Sequence, residues 1–129
     1  VFAGSLFESA VLVEHNRDAL AMAKENLSRV GVDATFCAVS DDAWTRTAQS
    51  RLPFDAAVVD PPRSGMSKDA LVWLCESGIP EILYVSCDPV TFSRDAASLA
   101  KAGYTLASVE MEDFYPQTHH VETLGHFRR

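Results

Sequence analysis

The sequence predicts an α/β fold built on a mostly parallel β-sheet, and three observations predict it. Short apolar runs alternate with amphipathic stretches along the whole chain, the pattern of repeated strand–helix–strand units. Polar or acidic residues stand at the carboxyl ends of three of those runs, at Glu14, Asp60 and Ser86-Cys87. The 129 residues are 47% hydrophobic and 22% charged, with six Gly and six Pro, which suits one buried core and excludes collagen-like or disordered chains.

Val1-Phe2-Ala3, closed by Gly4, reads as a first strand and Val11-Leu12-Val13 as its parallel neighbour. Only Ser5 to Ala10 connect them, whereas a parallel crossover needs about a dozen residues or more. The expectation is that a stretch of the fold is lacking between about residues 5 and 11. Ala19, Leu20, Ala23, Leu27 and Val30 recur at helical spacing over residues 16–30, and Gly31 supplies the stop. Ala34 to Ala38 predicts the next strand and Asp41 to Ser50 a short helix. Phe54 to Asp60 is a buried strand that Pro61-Pro62 cannot continue. Ser67 caps a helix running to about Cys75, and Ile82 to Ser86 is the most β-prone run of the chain. Asp88-Pro89 opens a helix that reaches Ala102 and ends at Gly103, with late strands at Tyr104 to Met111 and Val121 to Phe127. The alternation implies helices on both faces of the sheet, and such a sheet takes ligands beyond the carboxyl ends of its strands. Without repeats, low-complexity segments or a Gly/Ser-rich linker, residues 1–129 read as one domain.

Composition limits the function. The three cysteines, Cys37, Cys75 and Cys87, form no CxxC pair, so neither a disulfide framework nor a zinc site is expected and a reducing cytoplasm fits. No apolar run nears the ~18 residues that span a bilayer, and residues 1–10 lack the basic flank and apolar stretch of a signal peptide. The net charge of −7 argues against broad attraction to phosphate backbones.

Several residues could carry chemistry. Glu14, an acid between a strand and a helix, either accepts ribose hydroxyls or faces a helix dipole. Asp60-Pro61-Pro62-Arg63-Ser64-Gly65 is a stiff loop with few donors of its own at the mouth of the sheet, where a flat ring could lie. Cys87 lies between a strand and a helix N-terminus, where positive dipole charge favours a thiolate; a core role fits it equally well. Cys37 and Cys75 fall within apolar stretches and read as core residues. His119 and His120 are adjacent, a poor spacing for zinc. Glu122 is either a general base or an exposed strand acid.

In this order Glu14, Asp60-Pro61-Pro62-Arg63-Ser64-Gly65, Tyr84-Val85-Ser86-Cys87-Asp88-Pro89 with Arg94-Asp95, and Phe114-Tyr115-Pro116-Gln117-Thr118-His119-His120-Val121-Glu122 resemble the S-adenosylmethionine-dependent RNA 5-methyluridine methyltransferases over nearly the whole chain. The resemblance implies a class I methyltransferase sheet, Rossmann-like, of seven strands with an antiparallel last strand. It implies Cys87 as nucleophile and Glu122 as base, with Gly4 for the methionine part of the cofactor, Glu14 for the ribose, Asp41 or its neighbours for the adenine, and Asp60 for the region near the amino group and the target base. Arg63, Phe114 and Tyr115 become substrate contacts, the rings stacking an unpaired or flipped uridine. The implied partner is ribosomal or transfer RNA, and the implied whole is longer: an N-terminal RNA-binding domain, in some members with an iron–sulfur cluster, precedes a catalytic part like this one.

Two features depart from the pattern. The Gly-rich turn is reduced to Gly4-Ser5, and the acidic balance leaves RNA contacts to local cations such as Arg63, Lys68 and Arg94. A 5-methylcytidine methyltransferase would carry a cysteine where Arg63 stands, and an amino-methylating enzyme would carry a stacking ring there. The remaining alternative is a non-catalytic nucleotide-binding or RNA-scaffolding domain, which would not depend on Cys87.

Overall fold

In the computed structural model, which describes residues 7–114, 116–117 and 121–129, β1 (Ser9–Val13) leads through α1 (Arg17–Val30) to β2 (Asp33–Cys37). The strand expected over Val1–Ala3 falls on residues outside the described ones. The chain divides into two units, Val1–Ser50 and Arg51–Arg129. In the first, β1 and β2 pair in parallel from Ser9↔Asp33 to Val13↔Cys37, and the Glu14 amide extends the ladder to the Cys37 carbonyl at 3.1 Å. Asn16 caps α1 by accepting from the amides of Asp18 and Ala19 at 3.0 and 3.1 Å. At the other end Gly31 takes φ 70°, the left-handed conformation that a helix stop requires and that glycine adopts without strain.

The helix expected over 41–50 is shorter than its sequence suggests. α2 covers Asp41–Trp44, and a 3₁₀ turn follows at Gln49–Arg51. Between them the hydroxyls of Thr45 and Thr47 donate to the carbonyls of Asp42 and Trp44 at 2.8 Å each, and Ser50 Oγ donates to the Thr47 carbonyl at 2.8 Å. Such local side-chain bonds offer the backbone an alternative to the helical ladder.

The second unit holds β3 (Ala56–Val59), α3 (Lys68–Glu76), β4 (Glu81–Ser86), α4 (Pro89–Lys101), β5 (Thr105–Glu112) and β6 (Glu122–Arg128). Its strand order is β3-β4-β6-β5, with β3 parallel to β4 and β6 antiparallel to both its neighbours. Ser67 and Asp88 cap α3 and α4, and Pro89 takes the first helical position, where its missing N–H costs nothing. Leu74 of α3 and Phe92 and Leu99 of α4 pack with Ile82, Tyr84 and Phe127 from one face of the sheet. On the opposite face Val58 and Leu83 stay 57% and 38% exposed. The helices of this unit, α3 and α4, therefore cover one face of its sheet. Crossovers of one hand that step in one direction, β3 to β4 and onward to β5, leave their helices on the same side.

This topology gathers chain ends. Because β3 and β4 are parallel, they end together; β6 runs against β4 and so begins where β4 stops. β5, antiparallel to β6, finishes there too.

Candidate active site

At that edge the second unit carries a cavity of about 450 Å³, lined by Asp60, Val85, Cys87, Glu112, Phe114, Glu122, Thr123 and Leu124. Its size is within the range of small-molecule sites. Alternation along the strands explains who faces it. On β4, Ile82, Tyr84 and Ser86 are buried while Glu81, Leu83 and Val85 face the open side, so Cys87 falls on the open side with Val85. Across the ladder Val85 pairs with Leu124 and Ser86 with Thr123, which brings Glu122 level with Cys87. Asp60 follows Val59, the partner of Tyr84, and thus stands beside Val85.

Cys87 itself is half-buried and sits in the strand-to-helix turn between β4 and α4. Buried Ser86 brackets it: Ser86 Oγ donates to the Asp88 carbonyl at 3.0 Å and accepts the Asp88 amide at 3.1 Å. Asp88 then accepts from the amides of Val90 and Thr91, both at 2.9 Å. The thiol is thereby held one residue ahead of the cap of α4. The Thr91 amide above all, with the Val90 amide and the nearby Arg63 charge, holds the Asp88 carboxyl below the usual carboxylate range. Cys75 behaves as a core thiol: burial first, then Glu76 and Asp95, push it up from its ordinary value.

The structure thus brings Asp60, Cys87, Phe114 and Glu122 to one cavity. Arg63, exposed in the loop after Asp60, lies close enough to act on Asp88. Glu14 and Asp41 belong to the first unit. Glu14 stands at the end of β1, where its Oε1 accepts the Asn16 amide at 2.7 Å and lies 3.2 Å from His15 Nδ1. Asp41 opens α2 and accepts the Asp42 amide at 2.9 Å. Gly4, Tyr115, His119 and His120 lie outside the described residues. Glu112 is an addition from the structure: it is the last residue of β5 and pairs directly with Glu122. Its signal in sequence is slight, since the apolar run that marks β5 ends at Met111. Among the described residues no group of three or more His, Cys, Asp or Glu could hold a metal ion, and no helix is long and apolar enough to cross a membrane.

The chain superposes with a TM-score of 0.73 on the Pyrococcus abyssi tRNA (uracil-54, C5)-methyltransferase solved in complex with S-adenosyl-L-homocysteine, at 32% identity over 91% of this chain and 28% of that one. The fold is therefore that of the α/β methyltransferases. Within them the chain belongs to the tRNA (uracil-5-)-methyltransferase family, whose model matches residues 36–128. An uncharacterized RNA methyltransferase of Treponema denticola is 49% identical over 132 residues, covering 92% of this chain and 33% of the relative. That span exceeds the 129 residues here, so the Treponema protein has internal residues without a counterpart in this chain. A 23S rRNA (uracil(1939)-C(5))-methyltransferase of Histophilus somni is 42% identical over 87 residues, 67% of this chain and 20% of that one. The chain spans a third or less of the length of these proteins.

Proposed function

We propose that this chain is the catalytic part of an enzyme that transfers a methyl group from S-adenosylmethionine to C5 of a uridine in ribosomal or transfer RNA, through a covalent bond between Cys87 and C6 of the base. The observation that carries the reading is the shared cavity: a thiol ahead of a helix, a carboxylate level with it across the sheet, and Asp60 on the same face. Uracil C5 is too weak a nucleophile to act unaided, and the residues supply what it lacks. Cys87 adds as thiolate to C6, and the electron pair of the C5–C6 double bond moves onto C5 and the neighbouring carbonyl. S-adenosylmethionine, when bound, supplies the electrophilic methyl that C5 takes. Glu122 then removes the C5 proton, the double bond re-forms, and the Cys87 thiolate leaves.

Each unit, taken by itself, carries residue types of the kind such a cofactor needs. Glu14 uses Oε1 for the Asn16 amide, which leaves its second oxygen to accept ribose hydroxyls. Asp41 in the same unit is assigned to the adenine by resemblance, and Gly4 to the methionine part. In the second unit the acidic lining of Asp60, Glu112 and Glu122 suits a cationic sulfonium. Phe114, 65% exposed at the cavity rim, is placed to stack on an extruded uracil, a role it shares with Tyr115 by resemblance. RNA as substrate sets the work in the cytoplasm. A non-catalytic scaffold has no use for a thiol and a carboxylate at one cavity, and Arg63 stands where a 5-methylcytidine enzyme needs its cysteine.

The test uses the full-length protein with methyl-labelled S-adenosylmethionine and RNA. Cys87→Ala should abolish methyl transfer, and undiminished transfer would exclude the covalent route. Glu122→Gln should still form the adduct but release it about 100-fold or more slowly, so that a protein–RNA species accumulates on denaturing gels. Release at the wild-type rate would remove Glu122 from its role.

A further inference from the structure

Asp95 lies on α4, two turns beyond Cys87, and is 0% exposed. A buried carboxylate persists only where hydrogen bonds replace its lost water. Its Oδ2 accepts from the Tyr84 hydroxyl at 2.6 Å and from the Met66 amide at 3.0 Å, while Oδ1 accepts from Arg94 Nε at 2.8 Å. Burial first, then the bond to Asp95, push the Tyr84 hydroxyl far above its ordinary value, so it stays a donor. Tyr84 belongs to β4 and Met66 to the loop that follows Asp60, so one side chain joins three parts of the unit.

The same loop is fastened to α4 twice more. Thr91 Oγ1 donates to the Arg63 carbonyl at 3.1 Å, and Arg94 Nη2 to the Met66 carbonyl at 3.4 Å. Between these ties the Gly65 amide donates to the Pro62 carbonyl at 2.8 Å and closes a turn. Gly65 takes φ 76°, and a Cβ there would stand 2.8 Å from Asp95 Oδ2 and collide with Arg94 Nη2. Only glycine lets the loop come this close. Pro61 and Pro62 stiffen the stretch but give it no amides, so its place is set by whatever grips residues 63–66.

We propose that Asp95 is a positioning residue: its buried carboxylate clasps the Asp60–Met66 loop to α4, the helix whose cap follows Cys87, and so fixes Arg63 and Asp60 relative to the thiol. The inference rests on the reading of Cys87 as nucleophile and Arg63 as an RNA contact. Asp95 touches no substrate and acts through the loop.

The experiment follows trapping of full-length protein by RNA containing 5-fluorouridine in the presence of S-adenosylmethionine; once C5 is methylated, its fluorine cannot leave as a proton does, and the Cys87–C6 bond persists. The final amount of adduct counts competent molecules, and the rate constant reads placement. Asp95→Asn keeps an acceptor but loses the charge that holds Arg94; it should slow trapping about 10- to 100-fold while leaving the final amount within about twofold. Thr91→Val, which leaves Asp95 untouched but frees the Arg63 carbonyl, should slow it in the same sense by about 3- to 10-fold. A normal rate with a full amount of adduct overturns the proposal. So does a normal rate with less adduct, the mark of a merely structural carboxylate. Should Asp95→Asn fail to fold, Tyr84→Phe, which removes one donor only, carries the same comparison beside Thr91→Val. If the wild type forms no adduct, the reading of Cys87 fails separately, and amide hydrogen exchange at residues 63–66 decides the clasp. Exchange quickened about tenfold or more in Asp95→Asn supports it, and unchanged exchange overturns it.

Discussion

Asp88 shows how a single residue couples chemistry to folding. Its carboxylate accepts two amides at the start of α4, and those bonds, the Thr91 amide first, hold its carboxyl below the usual value. The unfolded chain then binds the proton more readily than the folded one, so this group favours the fold above about pH 4 and its support is lost as pH falls through the lowered folded value. Asp88→Asn retains a capping oxygen without a titrating group. Its thermal midpoint should therefore fall less steeply than the wild type's between pH 5 and pH 3, a window set by the unperturbed carboxylate value of about 3.9; equal slopes would show that Asp88 is not the group concerned. Cap and proposed nucleophile are neighbours in sequence, so acid that loosens the one should disturb the other. Much at this scale was legible in the residues: a cysteine followed by Asp-Pro marks a strand-to-helix turn, and a strand ending in Asp-Pro-Pro marks a loop at the sheet's mouth. Ser86 and Asp95 were not legible as roles, because what each does depends on partners fixed by tertiary geometry. An acid such as Asp95 inside an amphipathic helix reads as surface until a tyrosine and a loop amide are found against it.

Among the elements, β6 decides whether the site exists. It enters between β4 and β5 and runs against both, and only that direction starts it beside Cys87. Its fit against α4 rests on Gly125, where an added Cβ would stand 2.6 and 2.7 Å from Phe92 Cζ and Cε2 and 3.1 Å from Phe127 Cε2. The Phe92 ring cannot swing clear, since it packs edge-on to Tyr84 at 5.5 Å and tilted against Phe127 at 6.2 Å. Gly125→Ala should destabilise this unit by about 1–3 kcal/mol through overpacking, read as a lower denaturant midpoint with an unchanged slope. A midpoint at the wild-type value would mean that the ring relaxes freely. The run from Val121 to Phe127 located the strand but not its neighbours. Pairing order between distant segments leaves no periodicity to read, which is why the sequence yielded β1 through β6 nearly element by element yet did not place Glu112 opposite Glu122. The 41–50 stretch, expected as one short helix, failed for a local reason: threonine and serine hydroxyls took the carbonyls there.

Across the whole molecule, charge sets the terms on which RNA can approach. A net charge of −7 repels phosphate at long range, and salt screens that repulsion as well as any attraction. On the proposed reading, RNA binding by this chain must come from few, short-range cationic contacts, and Arg63, exposed in the loop after Asp60 and near Asp88, is the candidate. A side chain that neutralises one phosphate of a single strand contributes about 0.7 to the slope of log affinity against log salt. Arg63→Ala in the full-length protein should therefore weaken RNA binding by a similar factor for any sequence and flatten that slope by about 0.7. Loss of discrimination between target and non-target RNA, with the slope unchanged, would instead assign Arg63 to the base rather than the backbone. The two outcomes separate a device that docks RNA from one that reads it, and an acidic chain leaves the first to a few local cations near the proposed site.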